Sequence, residues 1–219
     1  MTLHIAFDLD GTLVDSVGDL AASASELVTS LGGRRLSKDE VALMVGEGAG
    51  ILVRRALAAA DLDPDTDGAL RRFLEIYDRH LLDTTVAYEG VPDMLLMASR
   101  RGPLSVVTNK PFAPSHRILE ALGLARHFAL VLGGDSAHGR KPDPAGLRAA
   151  AAAAEHVILV GDSPIDYRTA QAAGCTFVWA RYGFGAQRFE VPPSTPYVLE
   201  RPSDLAAVLD RFVAVTCGA

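Results

Sequence analysis

The sequence predicts an α/β protein, a doubly wound parallel sheet with a four-helix domain inserted after its first strand. Three observations predict it. Short, continuously apolar runs alternate with stretches of helical periodicity, the pattern of strands covered by helices on both faces. About 95 residues separate the first two strands, against the ~30 that a βαβ unit needs, and 16–83 within them reads as helix alone. Two carboxylates close the first strand, in Phe7-Asp8-Leu9-Asp10-Gly11-Thr12-Leu13.

The first strand is expected over 3–8, where an apolar run reaches Asp8. Helices are expected at 16–31, 38–45, 49–60 and 67–82; Leu20, Ser23, Ala24, Leu27 and Leu31 give the first of these an apolar stripe at helical spacing. The chain crosses between sheet and insertion near 14–17 and 83–90, which makes those segments the expected hinge. The domain limits are therefore 1–15 and 86–219 for the sheet, and 16–85 for the helical cap. Further strands fit 104–108, 129–132, 157–161 and 175–180, with a short sixth near 196–199. Helices fit 91–100, 112–122, 144–154, 164–173 and 203–213. Pro144 and Pro164 suit first-turn positions and Ser203 suits an N-cap. The run Ala149–Ala154 reads as helix because alanine is the best helix former.

The 219 residues are 49% hydrophobic, enough for one large domain or a domain and a smaller companion. A net charge of -6 without a long basic run argues against nucleic acid or an anionic membrane surface as the main partner. Cys175, expected to open a buried strand, and Cys217, expected in a C-terminal tail, make neither a disulfide framework nor a metal cluster. No stretch approaches the ~18–20 apolar residues of a membrane span. With no leader pattern before the first strand, a cytoplasmic location is expected.

In an open parallel sheet, ligands bind outside the carboxyl ends of the strands. The first strand there offers Asp8, Asp10, Gly11 and Thr12, and the second Thr108-Asn109-Lys110. Lys141 follows the third, in Gly139-Arg140-Lys141-Pro142-Asp143-Pro144, and Gly161-Asp162-Ser163-Pro164-Ile165-Asp166 follows the fourth. Side chains alternate along a strand, so Asp8 and Asp10 are expected to leave on one side, and Gly11 lets the backbone turn. Two adjacent carboxylates stay ionised only if a cation or a proton separates them. The pair therefore points to a hard metal ion, an acid/base division of labour, or both. Each element alone has a plainer reading: Asp8 and Asp10 as solvated turn acids, Thr108-Asn109 as a strand-to-helix cap, Lys141 as a surface lysine, Asp166 as a helix first-turn acid.

Taken together and in order, DxDGT at 8–12, Thr108, Lys141 and GDSxxD at 161–166 resemble the haloacid dehalogenase superfamily of phosphotransferases, over nearly the whole chain. The resemblance implies a Rossmann-like core with a helical type 1 cap. It implies Asp8 as nucleophile forming an aspartyl-phosphate, and Asp10 as general acid and base. Thr108 and Lys141 would hold phosphate oxygens. Mg2+ would bind Asp8, the Asp10 main-chain carbonyl, Asp162 and, directly or through water, Asp166. Gly11, Thr12 and Asn109 would line the phosphate site.

Gly46-Glu47-Gly48-Ala49-Gly50 leading into Leu52-Val53-Arg54-Arg55-Ala56-Leu57, Tyr88-Glu89-Gly90-Val91-Pro92, Val107-Thr108-Asn109-Lys110-Pro111, Gly133-Gly134-Asp135 and Arg181-Tyr182-Gly183 are similar to the phosphoglycolate phosphatase group. This implies a small phosphorylated metabolite as partner, such as 2-phosphoglycolate. Gly48 would then be a substrate-facing cap position and Arg54 or Arg55 would meet a substrate carboxylate; the plain alternatives are an interhelix turn and a solvated helix face. The compressed Arg101-Gly102-Pro103 and the short connection after Ala154 depart from that group. Asp10 argues against a dehalogenase, and Lys38, the one cap lysine, gives little for phosphonate chemistry. A sugar-phosphate mutase and a non-catalytic phospholigand-binding protein are the alternatives, with monomer and homodimer both open.

Overall fold

The computed structural model describes residues 2–152, 154–188, 195 and 197–217. The chain opens with β1 (Leu3–Phe7) and a two-residue strand β2 (Val14–Asp15). Helices α1 (Val17–Ser30), α2 (Lys38–Ala42), α3 (Ala49–Ala59) and α4 (Ala69–His80) follow, before β3 (Val86–Ala87). Then come α5 (Val91–Ala98), β4 (Leu104–Val107), α6 (Phe112–Ala121), β5 (Leu130–Leu132), α7 (Ala145–Ala150), β6 (His156–Gly161), α8 (Pro164–Ala173), β7 (Thr176–Ala180), β8 (Val198–Leu199) and α9 (Leu205–Cys217).

Six strands form one parallel sheet in the order β5-β4-β1-β6-β7-β8. All five residues of β1 are buried. Leu3, Ile5 and Phe7 join the larger core on one face, while Ala6 joins Val107, Leu147, Leu159, Ala170 and Phe177 on the other. Burial on both faces is why the strands read as unbroken apolar runs. From β1 the chain runs out to β4 and β5, then crosses back to β6 on β1's other side. That reversal opens a crevice at the carboxyl ends of β1 and β6, where Asp8 and Asp162 stand.

The expected α1 stripe packs: Leu20, Ser23, Ala24 and Leu27 are buried. On α4, Ala69, Phe73, Ile76 and Tyr77 lie at helical spacing and turn inward. The two stripes face each other, with α2 and α3 packed against them. Fully burying such side chains is worth roughly 1.5–3 kcal/mol each, which outweighs the weak intrinsic stability of helices this short. The two crossings between sheet and bundle are joined. β2 and β3 pair antiparallel, Val14 with Ala87 and Asp15 with Val86. Beside them the buried Asp19 carboxylate accepts four hydrogen bonds, from the main-chain N–H and hydroxyl of Thr84 (2.8 and 2.5 Å) and of Thr85 (2.9 and 2.6 Å).

Several expectations shift. The α2 helix ends at Ala42 and α7 at Ala150, short of the expected 45 and 154; residue 153 lies outside the described residues. Alanine raises helix propensity but supplies little apolar area to hold a helix end down. Pro144 caps α7 from outside, and Ser203 falls inside a 3-10 turn, Pro202–Asp204, that precedes α9. Here Asp204 takes the capping part, accepting from the N–H groups of Glu200 and Arg201. Helix α9 continues to Cys217, which the sequence placed in a tail. Cys175 precedes β7 and is half-buried. The expected 196–199 strand is Val198–Leu199, with residue 196 outside the described set.

Candidate active site at the carboxyl ends of β1, β4 and β6

The turn after β1 is wound around one carbonyl. Leu9 O accepts from the N–H groups of Thr12, Leu13 and Val14 (3.2, 2.9 and 3.1 Å). Gly11 sits at φ +87°, and a Cβ there would lie 1.9 Å from Asp162 Oδ2. Glycine is therefore needed twice, for the left-handed backbone and for room beside an acid. Gly183 and Gly185 crowd Asp162 in the same way, and the Gly185 N–H donates to Asp162 Oδ2 at 2.7 Å.

Asp8 emerges from β1 almost wholly buried. The ammonium of Lys141, equally buried, lies 2.8 Å from Asp8 Oδ1 and 2.6 Å from Asp166 Oδ1. The other Asp166 oxygen accepts from the N–H and hydroxyl of Ser163 (3.1 and 2.6 Å). Asp166 is thus both a first-turn acid of α8, in a capping box with Ser163, and an anchor for Lys141. The plain first-turn reading of this residue holds, and its other oxygen is taken by Lys141.

Asp10 lines the same cavity as Asp8 with different partners. Its Oδ1 accepts from the Ser16 hydroxyl at 2.5 Å, and both its oxygens face the Lys110 ammonium, at 2.9 and 3.1 Å. Lys110 also donates to the Tyr77 hydroxyl of α4 at 2.7 Å. Burial opposes the Lys110 charge, but Asp10 and Tyr77 more than offset it and hold its pKa above the usual range.

Asp8, Asp162 and Asp166 each offer one oxygen within 4.8 Å of the others. All three are buried, and with Lys141 their formal charge is -2, three carboxylates against one ammonium. Burial, then the Asp166 and Asp10 charges, raise Asp8 to about 6 against the pull of Lys141. Asp162 is also pushed well up, first by burial and then by Asp166 and Asp8. Three buried carboxylates with an excess of negative charge fit a hard divalent cation. The Asp10 carboxylate stands outside this trio.

The remaining expected residues divide. Thr108 lines the cavity, and Gly48 and Asn109 line it too. The Asn109 amide spends its N–H groups on Gly46 O and Lys141 O, both at 2.9 Å, tying the bundle's glycine turn to the β5–α7 connection; its Oδ1 is buried without a protein partner. The Thr12 hydroxyl is likewise buried and unpartnered. Arg55 is not brought to the cavity: it pairs with Glu47 and donates to Met44 O. Arg54 pairs with Asp65 on the exposed side. Lys110 was legible as a strand-end lysine but received no role, while Ser16, Asp19 and Tyr77 carried no motif signal.

The chain has known relatives. The model for the haloacid dehalogenase-like hydrolase family matches residues 5–180. The chain belongs to that family. Curated members of this hydrolase family similar to it include the phosphoglycolate phosphatase of Neisseria meningitidis, 41% identical over 83% of this chain and 81% of that one. Phosphoglycolate phosphatase 1 of Pseudomonas aeruginosa is 36% identical over 96% of this chain and 81% of its own. Among solved structures, a predicted phosphoglycolate phosphatase from Haemophilus somnus superimposes with a TM-score of 0.83 at 28% identity, covering 94% of this chain and 96% of that one. The doubly wound sheet is thus the family fold. No helix among the described residues is long and apolar enough to cross a membrane.

Proposed function

We propose that this hydrolase cleaves a small phosphomonoester, of the 2-phosphoglycolate class, through an aspartyl-phosphate. The observation that carries the reading is the separation of two carboxylates from one strand end into two environments. Asp8 sits with Lys141 beside the acid trio, while Asp10 sits apart with Ser16 and Lys110. Separate partners for the two carboxylates suit separate nucleophile and acid/base roles.

In the first step an Asp8 oxygen attacks phosphorus in line, the bond to the bridging ester oxygen breaks, and a proton on Asp10 passes to the departing alkoxide. In the second, Asp10 takes a proton from water, the water oxygen bonds to phosphorus, and Asp8 leaves as carboxylate. Thr108 and Lys141 hold the transferring oxygens, Lys141 fixed in place by Asp166. Asp8, Asp162 and Asp166 would hold Mg2+, which supplies positive charge at the phosphoryl oxygens when bound. The four-helix bundle acts as the cap that excludes water during the first step.

The cavity under that bundle supports a small substrate. It measures about 50 Å3. A phosphoryl group with a short tail suits it better than a hexose. The test is phosphate release from a panel of phosphomonoesters with Mg2+, with Asp8→Asn as blank. Preference for 2-phosphoglycolate is the expected result; turnover confined to hexose phosphates, or dependent on a bisphosphate, would replace the substrate reading with the mutase one.

A further inference from the structure

Resting on that reading, we infer that Lys110 is the residue that selects a carboxylate on the substrate's leaving group, with Tyr77 as its positioning partner. The cavity needs a cation there and offers one. Among the described residues lining it, Lys110 is the basic side chain; the charged others are Asp8 and Asp10. The arginines on α3, which the sequence put forward for this part, are committed to Glu47 and Asp65 outside it.

Position follows from bonding. In 2-phosphoglycolate the carboxylate carbon lies two bonds from the bridging oxygen. That oxygen must meet Asp10 to be protonated as it leaves. The carboxylate is therefore delivered to whatever flanks Asp10 on the cavity side, and the Lys110 ammonium is there, 2.9 Å from Asp10 Oδ1.

The ammonium need not travel to bind it. Lys110 is almost wholly buried, its head held between Asp10 and the Tyr77 hydroxyl and lying 4.7 Å from the centre of the Tyr77 ring. Exchanging the Tyr77 contact for a carboxylate oxygen moves a single hydrogen bond. Because the Tyr77 oxygen accepts from Lys110, the phenol keeps its own proton to donate to the same carboxylate. Tyr77 is itself fixed by stacking on Phe73, with ring centres 5.9 Å apart and planes 6° from parallel. The selecting pair thus joins the sheet to α4, so the carboxylate contact completes only with the bundle in place.

The experiment compares kcat/KM for 2-phosphoglycolate with that for 2-hydroxyethyl phosphate, which replaces the carboxylate by a neutral group, in wild type, Lys110→Met, Lys110→Arg and Tyr77→Phe. Using the ratio cancels any loss that comes through Asp10 alone. Wild type is expected to prefer the carboxylate substrate, and Lys110→Met to lower that preference about 100-fold, mostly in KM, the usual size for a hydrogen bond to a charged group. Lys110→Arg should restore part of it, and Tyr77→Phe should lower it several-fold while leaving the fold's melting temperature close to wild type. Lys110→Met losing activity equally on both substrates would overturn the inference and leave Lys110 a support for Asp10. Unchanged preference in both Lys110→Met and Tyr77→Phe would overturn it as well. A wild type without preference would instead remove the substrate reading, and the inference with it, a result distinct from either.

Discussion

The two walls of the cavity are built from different chemistry. The sheet side contributes Asp8, Asp10, Thr108, Asn109 and Lys110. The bundle side contributes Leu20, Val45, Leu52, Phe73 and Leu74, two glycines, and one polar side chain, Tyr77. The sheet wall is tied together by hydrogen bonds and ion pairs; the bundle wall is apolar and holds its shape by packing. On the proposed function, reaction chemistry belongs to the sheet and substrate size to the bundle, with the Lys110–Tyr77 contact joining them.

Substitutions can break this division or sharpen it. Asp8→Asn should lower turnover by at least ~10⁴-fold, the scale of losing a nucleophile; phosphate release comparable to wild type would end the covalent mechanism. Lys141→Met leaves Asp8 and Asp166 facing each other, and removing one member of a buried pair typically costs about 3–5 kcal/mol. Denaturant melts should register that loss, and Mg2+ should recover part of it by supplying the missing charge. Asp19→Asn turns one of the two oxygens, which accept separately from Thr84 and Thr85, into a donor facing donors and should cost about 2–3 kcal/mol, or roughly 4–12 °C of melting temperature for a chain of this size. Steady-state kinetics on the same variant should show KM rising more than kcat falls, as expected if it loosens the bundle rather than the sheet. On the bundle wall, Leu52→Ala should raise the relative kcat/KM for bulkier esters about tenfold, the lower end of what one methylene is worth in an apolar pocket, with little effect on the pH profile.

The smallest effect is a titration. A carboxyl raised to about 6 in the folded chain, against 3.8 when free, binds its proton more tightly folded than unfolded. Its contribution to stability therefore falls as pH rises from about 4 to about 6 and stays low above that. In metal-free protein, the melting temperature of wild type minus that of Asp8→Asn should decline over this window, and saturating Mg2+ should flatten the decline. A difference independent of pH would mean Asp8 is not held this way.

The strand-end cluster was legible in the chain because motif spacing and geometry coincide there. Asp8, Asp10, Thr108, Lys141, Asp162 and Asp166 come together at the carboxyl edge of the sheet, as their places in order predict. The contacts that connect the two walls were not legible. Asp19 meets Thr84 and Thr85 65 and 66 positions away, and Lys110 meets Tyr77 across 33; nothing local marks either pair. Arg55 misled in the opposite sense, since a cation on a helix facing the right way in sequence found Glu47 eight residues off. The two-residue strands β2 and β3 are too short for a period of two to register.

The Asp19 clasp bears on how the chain is assembled. Closing a loop costs entropy that grows with its length, and the stretch between β2 and β3 is long. Holding Val14 against Ala87 and Asp19 against Thr84 and Thr85 makes that stretch equivalent, for the sheet, to a short tether. The expected result of replacing residues 20–82 by a brief glycine-serine linker is a sheet that still folds, holds divalent metal, and accepts esters of any size.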